Sequence, residues 1–216
     1  MKIAIIGATG YVGAPILGEA LSRGHTVRAL MRDKKKLPPA ENLEAVEIDI
    51  TDSEALAKAI AGYDVVVHAY APPRSLSVAD RIAQQTRGTE SIIRAVKRAG
   101  TPRLVAVGGA GTAEVAPGVP LMESYFFPPQ YEGGAKSTAV VKDLLKRENE
   151  FDWVFISPPN FLEEGPRTGK YRTGKDNLIV DLSNGSSHMS VADYAVAFVD
   201  EIEKPRHFRE RFTVGT

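Results

Sequence analysis

Apolar positions along the chain follow two alternating rhythms. Ile3-Ala4-Ile5-Ile6 is a continuous apolar run, rich in β-branched residues and ended by Gly7. A run with no polar face fits a strand buried on both sides. Residues 11–23 then carry Val12, Ile16, Leu17, Ala20 and Leu21 on one helical face, and Gly24 stands where helices stop. The same reading predicts strands at 26–31, 43–48, 64–69, 104–107 and 153–156, with a short last one at 212–214. It predicts helices at 52–61, 78–99, 135–149 and 191–203. Pro15 falls early in the first helix, which implies a late start or a local distortion there. Strict alternation of strand and helix implies an α/β chain: a doubly wound, mostly parallel sheet with helices on both faces, forming one domain over 1–216.

Two stretches break the rhythm. Residues 108–130 are rich in Gly, Pro and aromatics, and 157–187 in Gly, Pro, Arg and Lys. Both are too long for simple connections, and such loops usually carry function. Both leave the sheet at the carboxyl end of a strand, where open α/β sheets bind ligands.

Composition narrows the chemistry. Lys plus Arg and Asp plus Glu are 27 each, so the chain has no formal net charge. That argues against a nucleic-acid partner. There are no cysteines, which removes disulfides, thiolate nucleophiles and sulfur-ligated metals. The four histidines, His25, His68, His188 and His207, form no spaced pair with a carboxylate that suggests a metal site. No apolar run approaches the roughly 18 residues of a membrane span, and the amino-terminal run makes a poor signal peptide. A soluble cytoplasmic protein is expected, monomeric or homodimeric, acting on a small molecule.

The motif between the first strand and first helix is Gly7-Ala8-Thr9-Gly10-Tyr11-Val12-Gly13. Glycines here let backbone approach a pyrophosphate, which the helix amino terminus then holds with free N–H groups. In these residues the chain resembles the atypical short-chain dehydrogenase/reductases, in the NAD(P)H-binding, NmrA-like and biliverdin reductase B-like branch. That branch includes proteins described as NADH-flavin reductases. Met31-Arg32-Asp33, Gly108-Gly109-Ala110-Gly111 and Ile156-Ser157-Pro158-Pro159 extend the likeness over nearly the whole chain.

The resemblance implies a Rossmann-type fold and a cofactor site built from Gly7, Thr9, Gly10, Tyr11, Val12 and Gly13. Arg32 ends the second strand, where an arginine accommodates the 2′-phosphate of NADP, so NADP(H) is expected over NAD(H). The alternatives are that Asp33 binds the ribose, or that the basic run Lys34-Lys35-Lys36 is a solvated turn. Asp49 and Ile50 would lie by the adenine. Ala69, Tyr70 and Ala71 would let backbone pass the ribose, or serve only as strand-end packing. Gly108 and Pro158 would flank the nicotinamide.

Classical relatives use Tyr-x-x-x-Lys and a serine for carbonyl chemistry. Here Tyr131 and Lys136 are five apart, off a common helix face, and glycine takes the serine position. Tyr131 is thus either an acid on an irregular helix start or a pocket wall. With Tyr131, Phe126, Asn160 and Phe161 are the candidate acceptor-side residues, their aromatic faces suited to a flat ring. His188 and the Ser190/Asp193 pair read as structural, the pair as a capping box. The expected activity is hydride transfer from NAD(P)H to a flavin or a similar flat acceptor such as a quinone, with flavin a substrate and not a prosthetic group. The alternative is an NmrA-like dinucleotide sensor without turnover.

Overall fold

The computed structural model describes residues 1–125 and 127–216. The chain runs β1 (Lys2–Ile6), α1 (Gly13–Ser22), β2 (Thr26–Met31), β3 (Leu43–Glu47), α2 (Ser53–Ile60), β4 (Val65–His68) and α3 (Val78–Ala99). It continues through β5 (Arg103–Val107), β6 (Glu114–Ala116), β7 (Val119–Pro120), α4 (Glu132–Leu145), β8 (Asp152–Ser157) and β9 (Phe161–Glu163). It closes with β10 (Arg172–Gly174), β11 (His188–Ser190), α5 (Val191–Glu203) and β12 (Glu210–Gly215). The main sheet has the order β10-β12-β8-β5-β4-β1-β2-β3. All its neighbours are parallel except β10, which pairs antiparallel with β12 at the edge.

The continuous apolar runs become strands covered on both faces. On one side α1 and α5 bury Ile3, Ile5, Val65, Val67 and Ile156. On the other, α2, α3 and α4 bury Ala4, Ile6, Val66, Leu104 and Phe155. Tyr194 of α5 reaches under the sheet end and donates its hydroxyl to the Ile156 carbonyl at 2.6 Å.

Several predicted bounds shift for local reasons. Helix α1 begins at Gly13, not at 11, so Pro15 is its third residue. An N–H there has no intrahelical acceptor in any helix, so the proline is harmless. Helix α4 begins at Glu132 and not 135, because a 3₁₀ turn, Pro129–Tyr131, runs straight into it, and it ends at Leu145 rather than 149. The stretch 108–130 holds the β6–β7 hairpin, and 157–187 holds β9 and β10, none of them foreseen. Strand β9 pairs in parallel with β11 as a small separate sheet.

The chain leaves β1 toward β2 and β3 on one side and returns to β4 on the other. The β1/β4 boundary is therefore the switch point of the sheet, where ligands bind outside the carboxyl strand ends.

Candidate functional site

Gly7 turns the chain out of β1 with φ +88°, a value costly for any other residue. A Cβ on it would also stand 2.5 Å from the Ala69 carbonyl oxygen at the end of β4. The loop is thus pressed onto the neighbouring strand at the switch point. Gly13 is as confined, since a Cβ there would overlap the Gly7 carbonyl. Gly10 differs: it is exposed, and its Cβ would meet only the Gly7 oxygen, at 3.3 Å. Val12 stands at the N-cap of α1 and offers no side-chain cap, and the first turn carries no acid. The orphan N–H groups and the positive dipole end are left for an anion. These features fit the pyrophosphate of a dinucleotide.

The next strand ends carry the residues expected on the adenosine side. Arg32 is exposed at the end of β2. Asp33 is occupied otherwise, accepting the Lys35 N–H at 3.1 Å to cap the Lys34–Lys36 turn. Asp49 accepts both the N–H (2.9 Å) and hydroxyl (2.8 Å) of Thr51. Those bonds, with the Arg32 charge, hold its carboxyl below the usual range. Helix α2 is capped by Asp52 instead, which accepts the Glu54 and Ala55 N–H groups. Tyr70 packs over Gly88 of α3, where a Cβ would lie 2.6 Å from its ring and 3.1 Å from Ile50 Cδ1. Asp49, Ile50 and Tyr70 therefore gather beside Arg32, with burial raising the Tyr70 phenol pKa. Ala69 is half-buried and Ala71 exposed at the same strand end.

The residues expected on the nicotinamide and acceptor side are less enclosed. Gly108 follows β5, its N–H bonded to the Ile156 carbonyl at 2.8 Å. A Cβ on Gly108 would lie 2.5 Å from that oxygen, so no serine fits this position. Pro158 is buried after β8, while Asn160 is exposed and tied through its N–H to Ser187 Oγ at 3.1 Å. Tyr11, beside the exposed Thr9 in the glycine loop, donates its hydroxyl to the Leu162 carbonyl at 3.2 Å, joining that loop to β9. Phe161 stacks on His188 with ring centroids 4.8 Å apart. Tyr131 is 58% exposed at the start of α4, and Lys136 is paired with Glu132 on the same helix. Tyr131 and Lys136 thus form no pair. Phe126 lies outside the described residues.

One buried feature escaped sequence reasoning. His68, the last residue of β4, is fully buried and meets Thr89 Oγ1 at 3.0 Å through Nε2. Gln85 donates to the same Thr89 oxygen at 3.1 Å, and Ser137 of α4 donates to Gln85 at 3.3 Å. Desolvation pushes the His68 pKa down to about 4. The signal was present in Gln85 and Thr89, two polar residues four apart in the buried stripe of α3. Likewise Asp193 does not complete a capping box. Its carboxylate turns to Thr168 and Gly169, and only the Ser190 half of the motif, accepting the Asp193 N–H at 3.0 Å, is made.

The family model described as NAD(P)H-binding matches residues 7–202, from the first loop glycine to the end of α5. The chain belongs to the NAD(P)H-binding family. Within it, the chain fits the atypical short-chain dehydrogenase/reductases. It is 38% identical over 218 residues to the uncharacterized protein YwnB of Bacillus subtilis (strain 168), covering 99% of this chain and 98% of that one. A Bacteroides thetaiotaomicron structure named as a candidate epimerase matches with TM-score 0.90 and 41% identity, over 99% of this chain and 96% of the other. A Streptococcus pneumoniae structure named as a candidate NADH-flavin reductase matches with TM-score 0.87 and 30% identity, over 100% and 99%. No helix among the described residues is long and apolar enough to cross a membrane.

Proposed function

We propose that this NAD(P)H-binding, oxidoreductase-like chain is a reductase that passes hydride from NADPH to a flavin or a similar flat acceptor. The observation that carries the reading is the dismantled acid pair. Gly108 stands where serine does not fit, Lys136 is held by Glu132, and Tyr131 lies out at the helix start. Carbonyl reduction builds negative charge on oxygen and needs a placed donor. An epimerase needs placed proton-transfer groups as well. Reduction of a flavin takes its proton from solvent and needs neither.

A bound nicotinamide supplies the hydride. The protein's share is placement. The glycine loop and the α1 amino terminus hold the pyrophosphate, and Arg32 holds the 2′-phosphate through its planar fork. Asp49, Ile50 and Tyr70 line the adenine side. Gly108 and Pro158 bring backbone, without bulk, to the nicotinamide side. Asn160, Phe161 and Tyr131 border the open acceptor side, where a flat ring is held at reacting distance.

The test is NADPH consumption with FMN, riboflavin or a quinone. The expected result is turnover that Tyr131→Phe largely keeps, with NADPH preferred over NADH and that preference eroded in Arg32→Ala. Loss of turnover in a folded Tyr131→Phe variant with intact NADPH affinity makes Tyr131 an acid and the substrate a carbonyl compound. NADPH binding without turnover on any acceptor supports a sensor instead.

A further inference from the structure

Arg81 lies in the first turn of α3, its N–H bonded to the Ser77 carbonyl at 2.9 Å. Its side chain crosses to the first turn of α4. A Cβ on Gly133 would stand 3.2 Å from Nη1, and one on Gly134 3.6 Å from Nη2. Two adjacent glycines in a helix each cost about 1 kcal/mol relative to alanine, and here they let a guanidinium lie against helix backbone.

The guanidinium is not neutralised. Arg81 is half-buried, its Nε is buried without a partner, and no ion pair or side-chain hydrogen bond reaches it among the described residues. The carboxylate on that turn, Glu132, is taken by Lys136. A cation against the positive end of a helix is an unfavourable placement on its own. An anion between them turns both charges to advantage.

The location decides what anion. Helix α3 follows the end of β4, and α4 packs on the loop leaving β5, where a Cβ on Gly111 would stand 2.6 Å from Ala135. Both helix starts therefore border the carboxyl edge of the sheet beside Tyr131. The cofactor pyrophosphate has its own site on the glycine loop. Resting on the reading above, we infer that Arg81 binds an anionic substituent of the acceptor, a phosphate or carboxylate carried by the flat ring. FMN then binds better than riboflavin.

Quenching of flavin fluorescence on the NADP⁺-saturated protein tests this. The expected result is FMN bound roughly ten- to a hundredfold more tightly than riboflavin, a gap erased in Arg81→Gln and partly kept in Arg81→Lys. NADP⁺ affinity should be unchanged in both variants. Equal flavin affinities in the wild type, a gap that survives Arg81→Gln, or weakened NADP⁺ binding in that variant overturns the inference and leaves the flavin reading intact. A second arm uses inorganic phosphate on the NADP⁺-saturated protein, read by thermal melting. An Arg81-dependent rise in Tm without any flavin binding keeps the anion site and removes the flavin reading. No Arg81-dependent rise, together with no flavin binding, overturns both.

Discussion

The three loop glycines look equivalent as letters and are not equivalent as positions. Gly7 and Gly13 are required by the protein itself, Gly7 through its left-handed φ and the Ala69 carbonyl beside it, Gly13 through the Gly7 carbonyl against the helix start. At Gly10 a Cβ would meet only the Gly7 oxygen, at 3.3 Å, so the protein itself demands little there and the proposed pyrophosphate demands more. Gly10→Val should fold with a melting temperature near the wild type and lose most dinucleotide affinity. Gly13→Val should lose stability first, because backbone and not solvent occupies the space. Thermal melting with and without NADPH separates the two, and a Gly10→Val variant with intact affinity sinks the pyrophosphate site. The sequence showed that a loop of this kind follows β1, because Gly-x-x-Gly-x-x-Gly after an apolar run is a local signal. It did not show the unequal duties, because these depend on where Ala69 and the Gly7 carbonyl lie in space. Arg32 was legible as the residue ending β2. Its neighbour Asp33 caps the Lys34–Lys36 turn through one carboxylate oxygen, a use that only the folded turn displays.

At the scale of elements, the long loop after β8 is fastened to helices α1 and α5. Asp193, in the first turn of α5, accepts the N–H groups of Thr168 and Gly169 and the Thr168 hydroxyl, each at 2.7 Å. Ser190 caps α5 and donates to the Pro166 carbonyl at 2.8 Å. Arg167 makes two bonds of 2.7 Å to Glu19 of α1, and these hold the buried Glu19 carboxyl below its usual pKa. Asp193→Ala should cost about 1.5–3 kcal/mol of stability, the range for a lost hydrogen bond to a charged group. Amide exchange over 164–170 should quicken, and the acceptor's KM should rise while NADPH affinity holds. Unchanged exchange in that segment contradicts the fastening role. Of this only the Ser190 cap was legible beforehand. The sheet strands were too, because burial on both faces leaves continuous apolar runs. Strands β9, β10 and β11 have three residues each, and the segment between β9 and β10 is tied to α1 and α5 by side chains distant in sequence, which no short window displays.

At the scale of the whole molecule, the switch point that opens the ligand crevice also buries an imidazole. His68 ends β4 directly before Ala69, under α3, with Nδ1 lacking a partner among the described residues. His68 Nε2 and Gln85 both meet Thr89 Oγ1, which ties the neutral ring into the buried network of α3. Burial lowers the folded-state pKa to about 4, against about 6.5 in the unfolded chain. Between those values the unfolded state binds more protons, so stability rises with pH through this window. The contribution is fully present above about pH 6.5 and is lost as pH falls toward 4, about 3 kcal/mol in all. Carboxylates held low by partners, such as Glu19, act in a separate window below their usual value of 4.5. Urea unfolding of the wild type should therefore show stability falling from pH 7 to pH 4.5 more steeply than in His68→Gln, which carries no proton to gain. In the folded protein the ring stays neutral down to about pH 4, so NADPH affinity should be the same in the wild type and the variant between pH 7 and pH 5. Parallel pH profiles of stability for the two proteins would place the acid sensitivity elsewhere and leave His68 a packing residue only.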